Sequence, residues 1–190
     1  MYRVKTLHMI PNTVTALRIT GTMALLFVTP LSPAFFVIYS FCGLTDVLDG
    51  MLARLFKCQS ELGAKLDSIA DLLFYGMMIL RILPELISFF PVFLWITIAV
   101  SAAIRSAAYC VAALRYRRFA SLHTYMNKLS GLAVFAVPYA VRLPFALPIC
   151  VTVTALTLLA SLEELIIHSV RNNYEPNVKC IFDTFKRDTA

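Results

Sequence analysis

Apolar residues fall in long blocks that recur to about residue 170, with polar residues gathered between the blocks and at a few positions inside them. Six stretches can be drawn: Ile10–Thr29, Pro33–Phe56, Leu66–Leu83, Pro91–Leu114, Leu129–Leu143 and Leu147–Val170. Each is long enough, or nearly so, for a helix to cross a hydrocarbon core of about 30 Å. The first stops at Pro30, Pro33 suits the first turn of the second, and Pro84 follows the third. The pattern predicts an all-α, polytopic membrane protein with six transmembrane helices around a cytoplasm-facing polar cavity. Residues 1–174 form the membrane domain, and 175–190 a short polar tail in the cytoplasm.

Composition agrees with that reading. The 190 residues are 59% hydrophobic and only 15% charged, with a mean hydropathy of +0.77, far from the balance of a soluble domain. No charged start, short apolar core and small-residue cleavage site stands apart at the N-terminus, so the first stretch is expected to stay in the mature chain. Cys42, Cys58, Cys110, Cys150 and Cys180 are scattered, without paired metal-ligand spacing, and read as buried or incidental thiols. The net charge of +6 does not form a stripe on a soluble domain, which argues against nucleic acid. It describes topology instead. With the N-terminus in the cytoplasm, Arg81 and Arg142 fall outside, whereas Arg3, Lys5, Lys57, Lys65, Arg115, Arg117, Arg118, Lys128, Arg171, Lys179, Lys186 and Arg187 fall inside. That asymmetry follows the positive-inside rule. Both termini are expected to be cytoplasmic, in a bacterial cytoplasmic membrane.

Four aspartates interrupt this apolar chain. Asp46, Asp49, Gly50 and Ala53 occur at i, i+3, i+4 and i+7, and Gly63, Asp67 and Asp71 at i, i+4 and i+8. Each set lies on one helical face, and the two faces can meet across a cavity. Unpaired carboxylates brought together repel one another, and one or two divalent cations relieve this. Oxygen-only ligation favours Mg²⁺, with Mn²⁺ as the alternative, and a Mg²⁺ site that also takes water and phosphate implies a phosphorylated substrate. Arg54 offers a planar fork for phosphate oxygens. The plainer reading pairs Asp67 and Asp71 with Arg54 or Lys65.

The stretch D-V-L-D-G-M-L-A-R, eight residues, then G-A-K-L-D-S-I-A-D, from Asp46 to Asp71, resembles the signature of the CDP-alcohol phosphatidyltransferases, matching all eight fixed positions. The I-P-N-T-V-T-A-L-R run at Ile10–Arg18 is similar to that family's first-helix opening. The resemblance implies that Asp46, Asp49, Asp67 and Asp71 hold the metal, with Asp71 also the general base. It implies that Gly50, Ala53, Arg54 and Gly63, beside Asp46, Asp49 and Asp67, line the pocket for the CDP portion of a CDP-linked lipid. It also implies a homodimer. The reaction expected is Mg²⁺-dependent transfer of a phosphatidyl group from CDP-diacylglycerol to a small polar alcohol at the membrane surface, releasing CMP.

The acceptor is less sharply drawn. Arg105, a charge inside an apolar stretch, and Lys128, in T-Y-M-N-K-L-S-G, are candidate acceptor contacts; pairing with a carboxylate or interfacial anchoring are their plainer roles. Arg115, Arg117 and Arg118 read as topology determinants. Glu163 and Glu164 have no evident partner. Within that resemblance Ser68 after the third aspartate, where the glycerol-phosphate branch commonly has proline, leans toward L-serine, whereas the N-K-L-S-G segment carries no clear serine-branch signature, so glycerol 3-phosphate, inositol phosphate and a less familiar alcohol stay open. Two other classes compete with the enzyme. A divalent-cation transporter would carry its carboxylates nearer mid-membrane, on broken or repeated helices, and a non-catalytic scaffold would have let a motif position drift.

Overall fold

The computed structural model describes the backbone of residues 2–55, 61–117, 122, 124–171, 174 and 178–183. Within these it describes all side chains except those of residues 2–12, 50, 52–54, 61, 62 and 64. The described chain is all-α: α1 (Tyr2–Ala24), α2 (Pro33–Leu55), α3 (Glu61–Phe89), α4 (Val92–Tyr116), α5 (Tyr125–Ala140), α6 (Ala146–Val170) and a short seventh helical segment at 181–183. It divides into two compact units, Met1–Ser88 and Phe89–Ala190.

The six-span expectation is not met. Among the described residues, three helical segments, Lys65–Phe89, Val92–Tyr116 and Ala146–Val170, are long and apolar enough to cross a membrane. The physical reasons are local. α5 has only 16 residues, short of the roughly 20 a crossing needs. The side chains described without a break in α1 and α2, residues 13–24 and 33–49, are each fewer than a crossing needs, and Arg18, Asp46 and Asp49 lie among them. On the spans, Leu72, Ile79, Leu80 and Ile87 of α3 and Val92, Ile96 and Leu114 of α4 stand exposed, as side chains facing lipid must. α3 also runs through Pro84, where the sequence pattern ends its third stretch. Proline inside a helix costs a hydrogen bond, and membrane helices tolerate that loss where neighbouring groups satisfy the freed carbonyl.

In the first unit α1 packs on α2. The turn between them ends at Ser32, whose hydroxyl accepts the Phe35 amide at 3.2 Å, with Pro33 opening α2. Leu25, Phe35, Tyr39 and Cys42 are buried here, and Tyr39 stacks between Phe35 of its own helix and Phe74 of α3. Arg81 of α3 donates to the Val28 carbonyl just after α1. Gly21 sets the α1–α2 spacing, since a Cβ there would lie 3.0 Å from the Cys42 sulfur. Gly21→Leu is therefore expected to lower stability by about 1–3 kcal/mol through overpacking, read as a lower unfolding temperature in detergent.

In the second unit α6 packs against both α4 and α5. Ala108 and Ala112 of α4 and Ala160 and Ser161 of α6 are fully or almost fully buried, small residues that let membrane helices approach closely. Thr124 caps α5 by accepting the Asn127 amide at 3.1 Å. Of the polar tail, Val178, Lys179 and Ile181 make contacts with the rest of the unit. Val178 is buried with Leu122 and Ile167, the Lys179 carbonyl accepts the Tyr125 amide at 3.0 Å, and Glu163 accepts the Ile181 amide at 3.1 Å.

Candidate metal centre

The first unit carries the acidic cluster. Helical spacing holds Asp46 and Asp49 on one face of α2, and Asp67 projects from the second turn of α3. One carboxylate oxygen from each of Asp46, Asp49 and Asp67 lies within 4.8 Å of the other two. Asp49 is buried and its Oδ2 accepts the Thr15 hydroxyl of α1 at 2.8 Å, whereas Asp67 is half-buried and Asp46 exposed. Burial pushes the Asp49 carboxyl above its ordinary value, opposed by the Thr15 hydroxyl and by Arg18, and raised further by Asp67 and Asp46. Asp71, one turn beyond Asp67, meets the cluster through Arg18.

Arg18 of α1 lies among these carboxylates. Its side chain is only 1% exposed, with Nη1 paired to Asp46 and 3.4 Å from Asp71, and Nη2 at 2.6 Å from Asp67 Oδ1 and 3.2 Å from the Asp67 carbonyl. The observed cationic partner of Asp67 and Asp71 is thus Arg18, from a helix the sequence pattern left out of the site. Its signal was present: an arginine deep in an apolar stretch is costly unless a carboxylate meets it. Thr15, three residues earlier, was also unforeseen.

The donor set fits a hard divalent cation. Three carboxylates from two helices offer only oxygen, as Mg²⁺ and Mn²⁺ prefer. In octahedral Mg²⁺ ligation neighbouring oxygens stand about 3.0 Å apart and opposite ones about 4.2 Å, so binding draws the three carboxylates closer together. Asp46, Asp49 and Asp67 would hold the ion.

Of the other expected residues, Gly50, Ala53 and Arg54 continue α2, but their side chains lie outside the described residues. Gly63 is half-buried in the first turn of α3. Arg105 and Lys128 belong to the second unit. Arg105 donates through Nη1 to Glu164 at 3.0 Å, through Nη2 to Asn127 at 2.9 Å and through Nε to Ser161 at 3.2 Å. Lys128 is exposed in the first turn of α5, next to Asn127. Glu164, which had no evident partner in the sequence, also accepts the Leu122 amide at 3.0 Å and Asn127 Nδ2 at 3.1 Å.

Comparison with known proteins gives one positive result: residues 8–170 match the family model described as CDP-alcohol phosphatidyltransferase. No curated protein and no solved structure gave a significant match. The matched region runs from α1 to the end of α6 and holds every carboxylate of the cluster. A membrane-associated helical chain, a clustered oxygen donor set and a family match over most of its length identify the class of transferase. The chain belongs to the CDP-alcohol phosphatidyltransferase family.

Proposed function

We propose that this enzyme moves a phosphatidyl group from CDP-diacylglycerol to L-serine, with Mg²⁺ at Asp46, Asp49 and Asp67 and Asp71 as general base. The family's reaction supplies the chemical frame, and the convergence of three carboxylates within 4.8 Å carries the metal reading. When bound, the cation withdraws charge from the diphosphate and stabilises departing CMP. The chain's own residues do the rest. Asp71 stands outside the three-carboxylate cluster with a half-exposed side chain, a suitable position for meeting an alcohol. It accepts the hydroxyl proton as the alcohol oxygen bonds to the lipid-linked phosphorus, and the bond from that phosphorus to the bridging oxygen breaks with its electrons passing to CMP. Gly50, Ala53, Arg54 and Gly63 are assigned to the CDP portion by their motif positions. Arg105 and Lys128 are assigned to acceptor binding on residue chemistry, and the family resemblance supports a homodimer.

Charge placement supports a cytoplasmic site. Lys57 and Lys65 flank the N-terminal end of the α3 span, and Arg115, Arg117 and Arg118 close or follow that of α4, the next crossing. Ser68 after Asp67 supports serine as acceptor. Purified protein in detergent, given CDP-diacylglycerol, Mg²⁺ and each alcohol in turn, is expected to release CMP and form phosphatidylserine with serine. EDTA should stop the reaction, and Mg²⁺ or Mn²⁺ restore it. Turnover with glycerol 3-phosphate or inositol phosphate but not serine would overturn the acceptor assignment. Full activity in EDTA would overturn the metal.

A further inference from the structure

We propose that Arg18 is a built-in counter-cation, which holds the acidic cluster together without metal and competes with the divalent ion for Asp46 and Asp67. The inference rests on the metal reading above and extends it to a residue outside the Asp46–Asp71 motif. Two of the three carboxylates able to hold a metal are the same two that Arg18 grips, Asp46 through Nη1 and Asp67 through Nη2. The third, Asp49, takes its hydrogen bond from Thr15 one turn earlier on α1. One face of α1 therefore supplies hydrogen bonds to all three. The guanidinium is held by these acids: its side chain is 1% exposed, and among the described residues its buried Nε has no hydrogen-bond partner.

Four aspartates brought together by α2 and α3 would repel one another. A single guanidinium offsets part of that charge and bridges both helices to α1, so the site can assemble before any ion arrives. A divalent ion on Asp46, Asp49 and Asp67 would replace the same attraction with twice the charge and would repel the guanidinium at close range. Asp71, 3.4 Å from Nη1 and outside the three-carboxylate cluster, is the partner toward which Arg18 can move. Arg18 thereby lowers metal affinity while stabilising the metal-free protein.

The test is Mn²⁺ binding to purified protein in detergent, followed by the electron paramagnetic resonance signal of free Mn²⁺ and by calorimetry, together with unfolding temperatures with and without Mn²⁺. Arg18→Gln is expected to bind Mn²⁺ about tenfold more tightly than the natural protein. Its unfolding temperature should be lower without metal and should rise more on Mn²⁺ addition. Arg18→Lys, which keeps the charge, should bind nearly as the natural protein does. If Arg18→Gln fails to fold, the comparison of Asp71→Asn with the double variant R18Q/D71N serves instead, because the double change removes one charge of each sign and leaves the three metal-holding carboxylates in place. Equal or weaker Mn²⁺ binding on loss of the arginine, in either comparison, overturns the proposal. Natural protein that binds no Mn²⁺ ends the metal reading and this inference with it. Binding that is lost in Asp49→Asn but unchanged by Arg18→Gln ends the Arg18 inference alone.

Discussion

Asp71→Asn is expected to lower the turnover number by about 10²–10⁴-fold, the usual contribution of a positioned general base. Mn²⁺ binding should persist, because Asp46, Asp49 and Asp67 form the three-oxygen cluster without it. The fold should survive as well. Asp71 is half-exposed and its ion pair with Arg18 is 3.4 Å long, the kind of contact that contributes about 0–1 kcal/mol, while Arg18 keeps Asp46 and Asp67. Affinity for CDP-diacylglycerol, measured by calorimetry in detergent, should change little, so the loss appears in the chemical step. Turnover within a few-fold of the natural enzyme would remove Asp71 as the base. Loss of Mn²⁺ binding alongside turnover would make Asp71 a metal ligand in the working enzyme.

The contrast between Asp71 and its three neighbours also marks how far the sequence could be read. Spacing within a helix is fixed by its geometry, so the shared faces of Asp46 with Asp49 and of Asp67 with Asp71 were legible at once, as was the chance of the two faces meeting. Which three oxygens come closest depends on the rotation of α3 against α2, and no periodicity carries that. Arg18 lies 28 residues before Asp46, and an analysis by apolar blocks treats it as a blemish in a stretch rather than as a cation seeking a carboxylate. The same habit inflated the number of spans. Counting apolar residues made a crossing of the 16-residue α5, whereas Arg18 and the aspartates, polar positions inside the apolar stretches of α1 and α2, belong to the site. The packing of Val178 was not legible for a related reason. Val178 and Ile181 are isolated apolar residues in a polar segment, and only the positions of Leu122 and Ile167 reveal what they cover.

Glu164→Ala is expected to be the most destabilising single change in the second unit, by about 3–5 kcal/mol. The carboxylate is fully buried and joins three parts of the chain. Oε1 accepts the Leu122 amide at 3.0 Å, and Oε2 accepts Arg105 Nη1 at 3.0 Å and Asn127 Nδ2 at 3.1 Å. His168 Nε2 stands 3.9 Å from Oε1 one turn along α6. Alanine leaves a guanidinium without its carboxylate and a buried backbone N–H without an acceptor, and both penalties add to the lost contacts. Glu164→Gln keeps an acceptor oxygen but turns an amide N–H₂ toward one donor, so a smaller loss of about 1–3 kcal/mol is expected. Removing both charges separates the burial penalty from the pair itself. If the cost of Glu164→Ala comes mainly from the stranded arginine, Arg105→Met in the same chain should recover much of the stability, since apolar replacement of a buried ion pair is often close to neutral. Thermal unfolding in detergent, followed by helical circular dichroism, measures all three variants. A Glu164→Ala loss below about 1 kcal/mol would show that the network holds little of the unit together. Equal losses in the single and double variants would shift the cost from the charge on Arg105 to the orphaned Leu122 amide.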